Sequence, residues 1–298
     1  MRTDKALIFS DLDGTLLDHF TYKTDDACDT IAKLKNAGIP IILNTSKTQA
    51  ELAKILKELA LDTPFIVENG AAIYMPKSSF KAQPADTTEV DNYWIKSFAS
   101  SRKFWLELLN SACADYQNLY ESFSTMSVQK LSELTGLSLE NAAQAKQREY
   151  GEPIHWLGDE YTKNLFIERL IDYGANVVQG GRFIHLSGHC DKGQALIWLT
   201  ERYRELFDTN DIYTIALGDG ENDIAMLEAA EIAVQIRSPV HDFPTLYRQN
   251  RQTIQTKGYG PAGCADPDRA NRIPYCKRTR VRDQFGRRPY RTFSRAVG

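Results

Sequence analysis

The sequence predicts an α/β protein in which a parallel sheet covered by helices is interrupted by an inserted α+β region. Near both ends of the chain, short apolar runs that stop at polar turns alternate with helical stripes, as is typical of a parallel sheet. Between them, two apolar runs joined by Gly180-Gly181 indicate a hairpin and therefore antiparallel pairing. We expect a core of residues 1–76 and 188–263, an inserted domain of residues 77–187 and a basic tail of residues 264–298.

In the first half of the predicted core, three strands alternate with two helices. The strands are expected at Lys5–Ser10, residues 39–44 and Phe65–Val67, and the helices at residues 24–37 and directly after Thr48. The sequence Thr48-Gln49-Ala50-Glu51 matches a capping box, in which the first and last side chains bond the free N–H groups of the helix start.

The insert is predicted to hold four helices and a small antiparallel sheet. The helices are expected at residues 93–112, 129–134, 139–147 and 161–173, and the strands at residues 154–156 and in the hairpin of residues 176–186. The core pattern then resumes with a helix capped by Asp191, a strand at residues 212–217, a helix at residues 224–230 and a strand at residues 232–235. The tail has three prolines and no clear period, so we expect disorder or an aberrant chain end there.

Composition narrows the class of protein. The 298 residues are 42% apolar and 25% charged, and no apolar run approaches the ~20 residues of a membrane span. The N-terminus lacks the apolar region of a signal peptide. The five scattered cysteines form no CxxC pair, which favours a reducing compartment over a disulfide framework or a zinc site. We therefore expect a cytoplasmic protein without a membrane partner, either a monomer or a homodimer.

The net charge of −3 conceals an uneven distribution. Residues 264–298 carry ten basic and three acidic residues, which leaves 26 basic and 36 acidic residues in the rest of the chain. A nucleic-acid partner requires a basic surface on the fold, so the acidic body argues against one. A small-molecule ligand is expected instead.

Polar side chains collect where the predicted parallel strands end. In an open α/β sheet these ends lie at one edge, which is where ligands bind. The residues expected there are Asp11, Asp13, Thr45, Ser46, Lys47, Lys192, Asp219 and Asp223. Carboxylates suit a hard divalent cation such as Mg²⁺, while ammonium and hydroxyl groups suit a phosphoryl group held against it.

Each of these motifs also has a purely structural explanation. Asp13-Gly14 is a turn signal, Thr45-Ser46 leads into the capped helix, and a lone lysine such as Lys192 is usually solvated. Asp219 and Asp223 are both possible helix caps. A cation at a helix start opposes the helix dipole, however, which favours an anion beside Lys192.

Four ordered motifs resemble those of haloacid-dehalogenase-superfamily phosphatases: Asp11-Leu12-Asp13-Gly14-Thr15-Leu16, Thr45, Lys192 and Gly218-Asp219 with Asn222-Asp223. Narrower stretches resemble the mannosyl-3-phosphoglycerate phosphatase family: Asn44-Thr45-Ser46-Lys47-Thr48, Val67-Glu68-Asn69-Gly70-Ala71, Gln179-Gly180-Gly181-Arg182-Phe183 and Lys257-Gly258-Tyr259-Gly260-Pro261. The resemblance implies a Rossmann-like core with an inserted cap domain that selects the substrate.

The resemblance also implies roles for single residues. Asp11 is the expected nucleophile, forming an aspartyl-phosphate, and Asp13 the expected general acid and base. Thr45 and Lys192 would hold phosphoryl oxygens. Mg²⁺ would bind the Asp11 carboxylate, the Asp13 carbonyl oxygen and Asp219, with Asp223 as a further ligand or in contact with the ligands.

Substrate-binding residues are expected at Ser46, Lys47, Gly181, Arg182 and Asn222. Arg182 opens the second hairpin strand, and its guanidinium fits a substrate carboxylate bidentately. By alternation His185 lies on the opposite face, where we expect a packed structural histidine.

The expected function is a Mg²⁺-dependent phosphatase acting on mannosyl-3-phosphoglycerate. Three alternatives stay open at this point. The first is a phosphatase with another sugar phosphate or phospho-acid as its substrate. The second is a phosphomutase, which returns the phosphoryl group to its substrate, and the third is a non-catalytic regulator that binds a phosphosugar. The presence of both Asp11 and Asp13 argues against the last of these.

Overall fold

The computed structural model describes residues 5–21, 23–180, 182–249 and 251–264. Its strands are β1 (Lys5–Ser10), β2 (Ile41–Leu43), β3 (Phe65–Val67), β4 (Ala72–Pro76), β5 (Thr88–Val90), β6 (Tyr93–Ser97), β7 (Tyr120–Ser122), β8 (Glu152–Trp156), β9 (Asn176–Gly180), β10 (Phe183–Ser187), β11 (Ile212–Gly218), β12 (Ile232–Arg237) and β13 (Gln252–Tyr259). Its helices are α1 (Cys28–Asn36), α2 (Gln49–Glu58), α3 (Arg102–Ser111), α4 (Val128–Thr135), α5 (Leu139–Ala145), α6 (Glu160–Asp172), α7 (Lys192–Phe207), α8 (Ile224–Ala229) and α9 (Gly260–Cys264).

The first sheet is parallel and has the strand order β13-β12-β11-β1-β2. Alternate side chains of a strand point to opposite faces, so each face of the sheet needs its own cover. Leu7 and Phe9 pack with α7 and α8, whereas Ile41 and Leu43 pack with α1 and α2. The predicted α/β class with a helix-covered parallel sheet is therefore confirmed.

Strand β13 was not expected from the sequence. Only Ile254 and Thr256 are buried among the first six residues of this edge strand, so it carries little apolar signal. Its pairing with β12, for example Val234 with Ile254, joins segments that local periodicity cannot connect.

The second sheet is antiparallel, with the order β3-β4-β6-β5. A single parallel bridge between Asn44 and Ile66 joins β3 to the end of β2. The predicted helix over residues 93–112 is wrong in its first part, because residues 93–97 form β6 and α3 begins at Arg102. Aromatic and β-branched residues favour a strand, and pairing with β4 selected that alternative.

The third sheet is also antiparallel, with the order β7-β8-β10-β9. The predicted hairpin is confirmed: β9 pairs with β10, Phe183 opposite Gly180. Ile184 and Leu186 face the helices α3 and α6 in a separate apolar cluster with Trp105 and Phe166.

The division into a core and an inserted cap stays a proposal. Trp94 and Ile95 belong to the apolar clusters of the first sheet, which argues for placing the start of the insert nearer residue 100 than residue 77. Of the predicted basic tail, only Cys264 lies within the described residues. None of the described helices is long and apolar enough to cross a membrane.

Candidate active site

Three neighbouring parallel strands deliver polar residues to one edge of the first sheet. Asp11 follows β1, Thr45 lies just beyond β2, and Asp219 follows β11. The ladder continues past the strand ends, since the Asp11 N–H donates to the Leu217 carbonyl (2.9 Å) and the Asn44 N–H to the Ser10 carbonyl (2.8 Å). This pairing fixes the backbone from which the site side chains project.

A buried lysine joins two carboxylates at this edge. Lys192 Nζ lies 2.5 Å from Asp11 Oδ1 and 2.6 Å from Asp223 Oδ1, and its side chain is 0% exposed. The alternative of a solvated lysine is therefore wrong.

The start of α7 places Lys192 there. Asp191 caps the helix by accepting the Gln194 N–H (2.8 Å), as predicted. From the adjacent strand end, Asn44 Nδ2 donates to the Lys192 carbonyl (3.0 Å). The cap fixes the start of α7, and the Asn44 bond holds the lysine backbone against the end of β2.

Negative charge exceeds positive charge in this cluster. One carboxylate oxygen from each of Asp11, Asp219 and Asp223 lies within 4.8 Å of the others, with Lys192 as the cation between two of them. Burial and the Asp223 carboxylate raise the pKa of Asp11 to about 8. The same two causes raise the pKa of Asp219. Burial opposes the charge of Lys192, but Asp11 and Asp223 outweigh it and raise the pKa of the lysine.

The donor set fits a hard divalent cation. All three carboxylates are buried and offer oxygen, the ligand atom that Mg²⁺ prefers. Asp13 Oδ1 is buried and accepts no hydrogen bond within the described chain. A further cation beside Asp11 would also favour its ionised form.

His241 also lies near the carboxylates, with Nε2 at 3.4 Å from Asp219 Oδ2. No sequence motif identified this histidine.

Asp223 serves the local turn as well as the cluster. Its Oδ2 accepts the N–H groups of Asp219 and Gly220, both at 3.0 Å. At the start of α8, which it directly precedes, Asp223 makes no side-chain capping bond; it closes the preceding turn instead, and its other oxygen contacts Lys192.

Two glycines let loops approach the cluster. Gly14 has φ +78°, and a Cβ there would lie 2.5 Å from Asp219 Oδ2. Gly70 has φ +91°, and a Cβ there would lie 2.1 Å from the Asp191 carbonyl. Glu68 and Asn69 also have positive φ angles, 49° and 60°, which non-glycine residues adopt at a cost.

The segment after β2 contributes Thr45, Ser46 and Lys47. Thr45 is fully buried, and its Oγ1 accepts the Lys47 N–H (3.2 Å). Lys47 Nζ lies 2.8 Å from Asp13 Oδ2, on a carboxylate that is 37% exposed. The predicted capping box of α2 is confirmed at Thr48 and Glu51.

A cavity of about 560 Å³ adjoins this edge. Ser46, Asn69, Asp191 and Asn222 line it from the strand-end loops. Facing them, the third sheet contributes Asn176, Val178, Gly180, His185 and Ser187. The expectation of a packed structural His185 is wrong, because the side chain is exposed and lines the cavity.

The structure brings the predicted residues Asp11, Lys192, Asp219 and Asp223 together, with Asp13 and Lys47 paired beside them. Asn222 lies at the cavity, where its Nδ2 donates to Asn69 Oδ1 (3.2 Å). Arg182 is exposed, donates to the Leu134 carbonyl and is not part of the cavity lining. Gly181 lies outside the described residues.

Two of the charged lining residues that the sequence did not identify as ligand contacts are Glu68 and Arg148. Glu68 is a buried acid in Val67-Glu68-Asn69-Gly70-Ala71, one of the stretches that resemble the phosphatase family. That resemblance is the sequence signal from which Glu68 could have been identified. Arg148 lies between α5 and β8, in a segment with no motif, so no sequence signal identified it.

The sequence pattern of haloacid dehalogenase-like hydrolases matches residues 8–239 of this chain. A protein named glucosyl-3-phosphoglycerate/mannosyl-3-phosphoglycerate phosphatase from Methanococcoides burtonii is 38% identical over 260 residues, covering 87% of this chain and 94% of the relative. A mannosyl-3-phosphoglycerate phosphatase from Pyrococcus horikoshii is 34% identical over 239 residues, covering 79% of this chain and 92% of the relative.

Solved structures share the fold at lower identity. A Thermoplasma acidophilum protein matches with a TM-score of 0.55 at 15% identity, over 88% of this chain and 95% of that chain. A haloacid dehalogenase-like hydrolase from Bacteroides thetaiotaomicron matches with a TM-score of 0.55 at 20% identity, over 77% of this chain and 88% of that chain. At these identities the likeness concerns the fold alone.

Proposed function

The chain belongs to the haloacid dehalogenase-like hydrolase family, and on that premise we propose that it is a phosphatase of hexosyl-3-phosphoglycerates, with mannosyl-3-phosphoglycerate as its substrate. The two relatives described above carry this activity in their names and are matched over nearly their whole length. The proposal includes a cytoplasmic enzyme that works on a small anionic substrate.

One observation carries the proposal. A fully buried Lys192 holds Asp11 beside Asp219 and Asp223 at the end of adjacent strands. Burying four ionisable groups together costs stability, so a role in chemistry explains the arrangement better than packing does.

In the proposed reaction, an Asp11 carboxylate oxygen attacks phosphorus while the bond from phosphorus to the alkoxide leaving group breaks. Asp13 donates a proton to that alkoxide. In the second step the Asp13 carboxylate takes a proton from water as the water attacks the aspartyl-phosphate. The bond from phosphorus to Asp11 breaks, and phosphate leaves.

The neighbouring groups suit these roles. Asp13 is the more exposed of the two aspartates, and its contact with Lys47 at 2.8 Å holds its side chain in place. Lys192 would offset the charge of Asp11 and hold a phosphoryl oxygen, with the buried Thr45 hydroxyl as a second donor. Phosphoryl transfer requires mainly this positioning and charge neutralisation.

We propose Asp11, Asp219 and Asp223 as the residues that would hold Mg²⁺. When bound, the ion supplies positive charge that offsets the charge developing on the phosphoryl oxygens.

The experiment is a phosphate-release assay on the full chain with mannosyl-3-phosphoglycerate, glucosyl-3-phosphoglycerate, mannose 6-phosphate and glucose 1-phosphate. Each substrate is assayed with Mg²⁺ and after chelation. We expect Mg²⁺-dependent release that is fastest from the two glycosylated phosphoglycerates. Faster release from the simple sugar phosphates would contradict the assigned substrate, and a bisphosphorylated intermediate without free phosphate would favour a phosphomutase.

A further inference from the structure

Most of the charged side chains that line the cavity beside the site are acidic. Its charged lining comprises Glu68, Glu152, Asp191 and Glu221 together with one fixed cation among the described lining residues, Arg148. The proposed substrate carries a carboxylate close to its phosphate. A carboxylate that enters such a cavity needs a cation beside it, because removing an unpaired charge from water costs free energy.

Arg148 lies next to the proposed phosphoryl-binding segment. Its Nη2 donates to the Ser46 carbonyl (3.4 Å), one residue beyond Thr45. Its Nε lies 3.2 Å from Glu68 Oε2, and its side chain is 14% exposed. Nη2 is therefore occupied by the Ser46 carbonyl, whereas the contact of Nε with Glu68 is an ion pair without a hydrogen bond. Within the described chain, Nε and Nη1 have no hydrogen-bond acceptor, and Nη1 is left for a ligand.

Glu68 is held independently of Arg148. Its carboxylate accepts three backbone N–H groups, from Glu149 (2.7 Å), Tyr150 (3.3 Å) and Gly151 (2.9 Å). The segment that carries Arg148 is therefore tied to the strand-end loop of residues 68–70. This tie sets the position of the guanidinium relative to the phosphoryl end of the site.

We propose that Arg148 binds the carboxylate of the glycerate part of the substrate and that Glu68 is its positioning residue. The inference rests on the proposed function and assigns the carboxylate to Arg148 in place of Arg182. The Arg182 guanidinium lies outside the cavity lining, on the Leu134 carbonyl, whereas Arg148 is in the lining itself.

Two small substrates isolate the carboxylate. 3-Phosphoglycerate and glycerol 3-phosphate share the phosphate and the three-carbon chain, and differ by a carboxylate in place of a hydroxymethyl group. We expect the wild-type protein to prefer 3-phosphoglycerate in kcat/KM. In Arg148→Gln that ratio should fall roughly 10- to 100-fold, as expected for a lost charged hydrogen bond. A merely structural role would lower both rates and leave the ratio unchanged.

The matched control is Arg169→Gln. Arg169 pairs with Asp115 (2.6 Å) and is absent from the cavity lining, so the ratio should stay at the wild-type value. Arg182→Gln tests the competing assignment: a collapse of the ratio in this variant, but not in Arg148→Gln, would overturn the proposal. An absence of preference in the wild-type protein would overturn it as well.

Two further variants keep the test decisive. Arg148→Lys retains the charge without the planar fork, so its ratio should lie between those of the wild type and Arg148→Gln. If Arg148→Gln does not fold, a wild-type ratio in Arg148→Lys refutes the assignment. Glu68→Gln should raise the KM for 3-phosphoglycerate more than the KM for glycerol 3-phosphate.

The two proposals fail separately. If the wild-type protein does not release phosphate from hexosyl-3-phosphoglycerates, the proposed function is wrong, yet an Arg148-dependent preference for 3-phosphoglycerate would still support a carboxylate site. If release occurs but the preference does not depend on Arg148, the proposed function stands and the carboxylate assignment is lost.

Discussion

At the scale of single residues, the feature that explains most is the burial of Lys192 among carboxylates. A lysine at a helix start is usually solvated, whereas here the start of α7 lies beside the end of β1 and brings Lys192 to 2.5 Å from Asp11. The i, i+2 pair Asp11 and Asp13 is divided by the same geometry. Asp11 faces the buried lysine, while Asp13 reaches Lys47 near the surface.

Asp11→Asn should abolish phosphate release while the protein stays folded. The amide keeps the volume of the side chain and can still accept from Lys192, but it is a far weaker nucleophile than a carboxylate. Phosphate release and thermal unfolding measured on the same preparation check this. Asp115→Asn, which alters a 60% exposed carboxylate, is the control and should retain activity. Turnover by Asp11→Asn at the wild-type rate would refute the nucleophile assignment.

Gly14→Ala should destabilise the protein more than Gly174→Ala. Both glycines have positive φ, +78° and +83°, so both alanines carry a similar backbone strain of about 1 kcal/mol. Only at position 14 would the new Cβ meet another atom, Asp219 Oδ2 at 2.5 Å, whereas nothing lies within 4 Å at position 174. Denaturant unfolding measures the free energy of unfolding of both variants. An equal decrease in the two would show that the Asp219 contact has no energetic consequence.

At the scale of elements, helix starts orient much of the site. The capped start of α2 follows Lys47, and the capped start of α7 carries Lys192. The sequence predicted both caps, because capping depends on residues three apart in the chain. What the caps face was not predictable in the same way. Thr48 Oγ1 also contacts the Gln144 carbonyl (3.2 Å), which ties α2 to the end of α5.

Thr48→Ala should lower the free energy of unfolding by about 1–2 kcal/mol, through loss of the capping bond to the Glu51 N–H. Ser101→Ala is the matched control, because Ser101 occupies the same position before α3 and makes no side-chain capping bond. We expect a change within about 0.5 kcal/mol for the control. Equal effects in urea unfolding would indicate that the cap of α2 contributes no stability.

At the scale of the whole molecule, the site depends on the convergence of distant segments. Asp11, Asp219 and Asp223 come from opposite ends of the described chain and meet because β1 and β11 are neighbours in the sheet. Their mutual repulsion opposes this convergence. A bound cation should therefore stabilise the entire fold as well as the site.

Addition of Mg²⁺ should raise the thermal unfolding temperature in a saturable way. A ligand that binds the native state alone stabilises it by about 2.7 kcal/mol at a hundred times its dissociation constant. In Asp219→Asn the rise should be much smaller, because one of the three carboxylates is removed. NaCl at equal ionic strength is the control for screening, and the same rise with NaCl would contradict a specific site.

The sequence by itself determined the elements and motifs whose signals are local. Apolar periodicity identified the parallel strands, and the carboxylates and lysine that follow them identified the edge where they meet. The tertiary structure alone decided that residues 93–97 pair as a strand, that β13 completes the sheet, and that Arg148 and His185 line the cavity. The physical reason is that strand pairing and cavity lining join residues far apart in the chain, whereas periodicity and capping record only the neighbours of each residue.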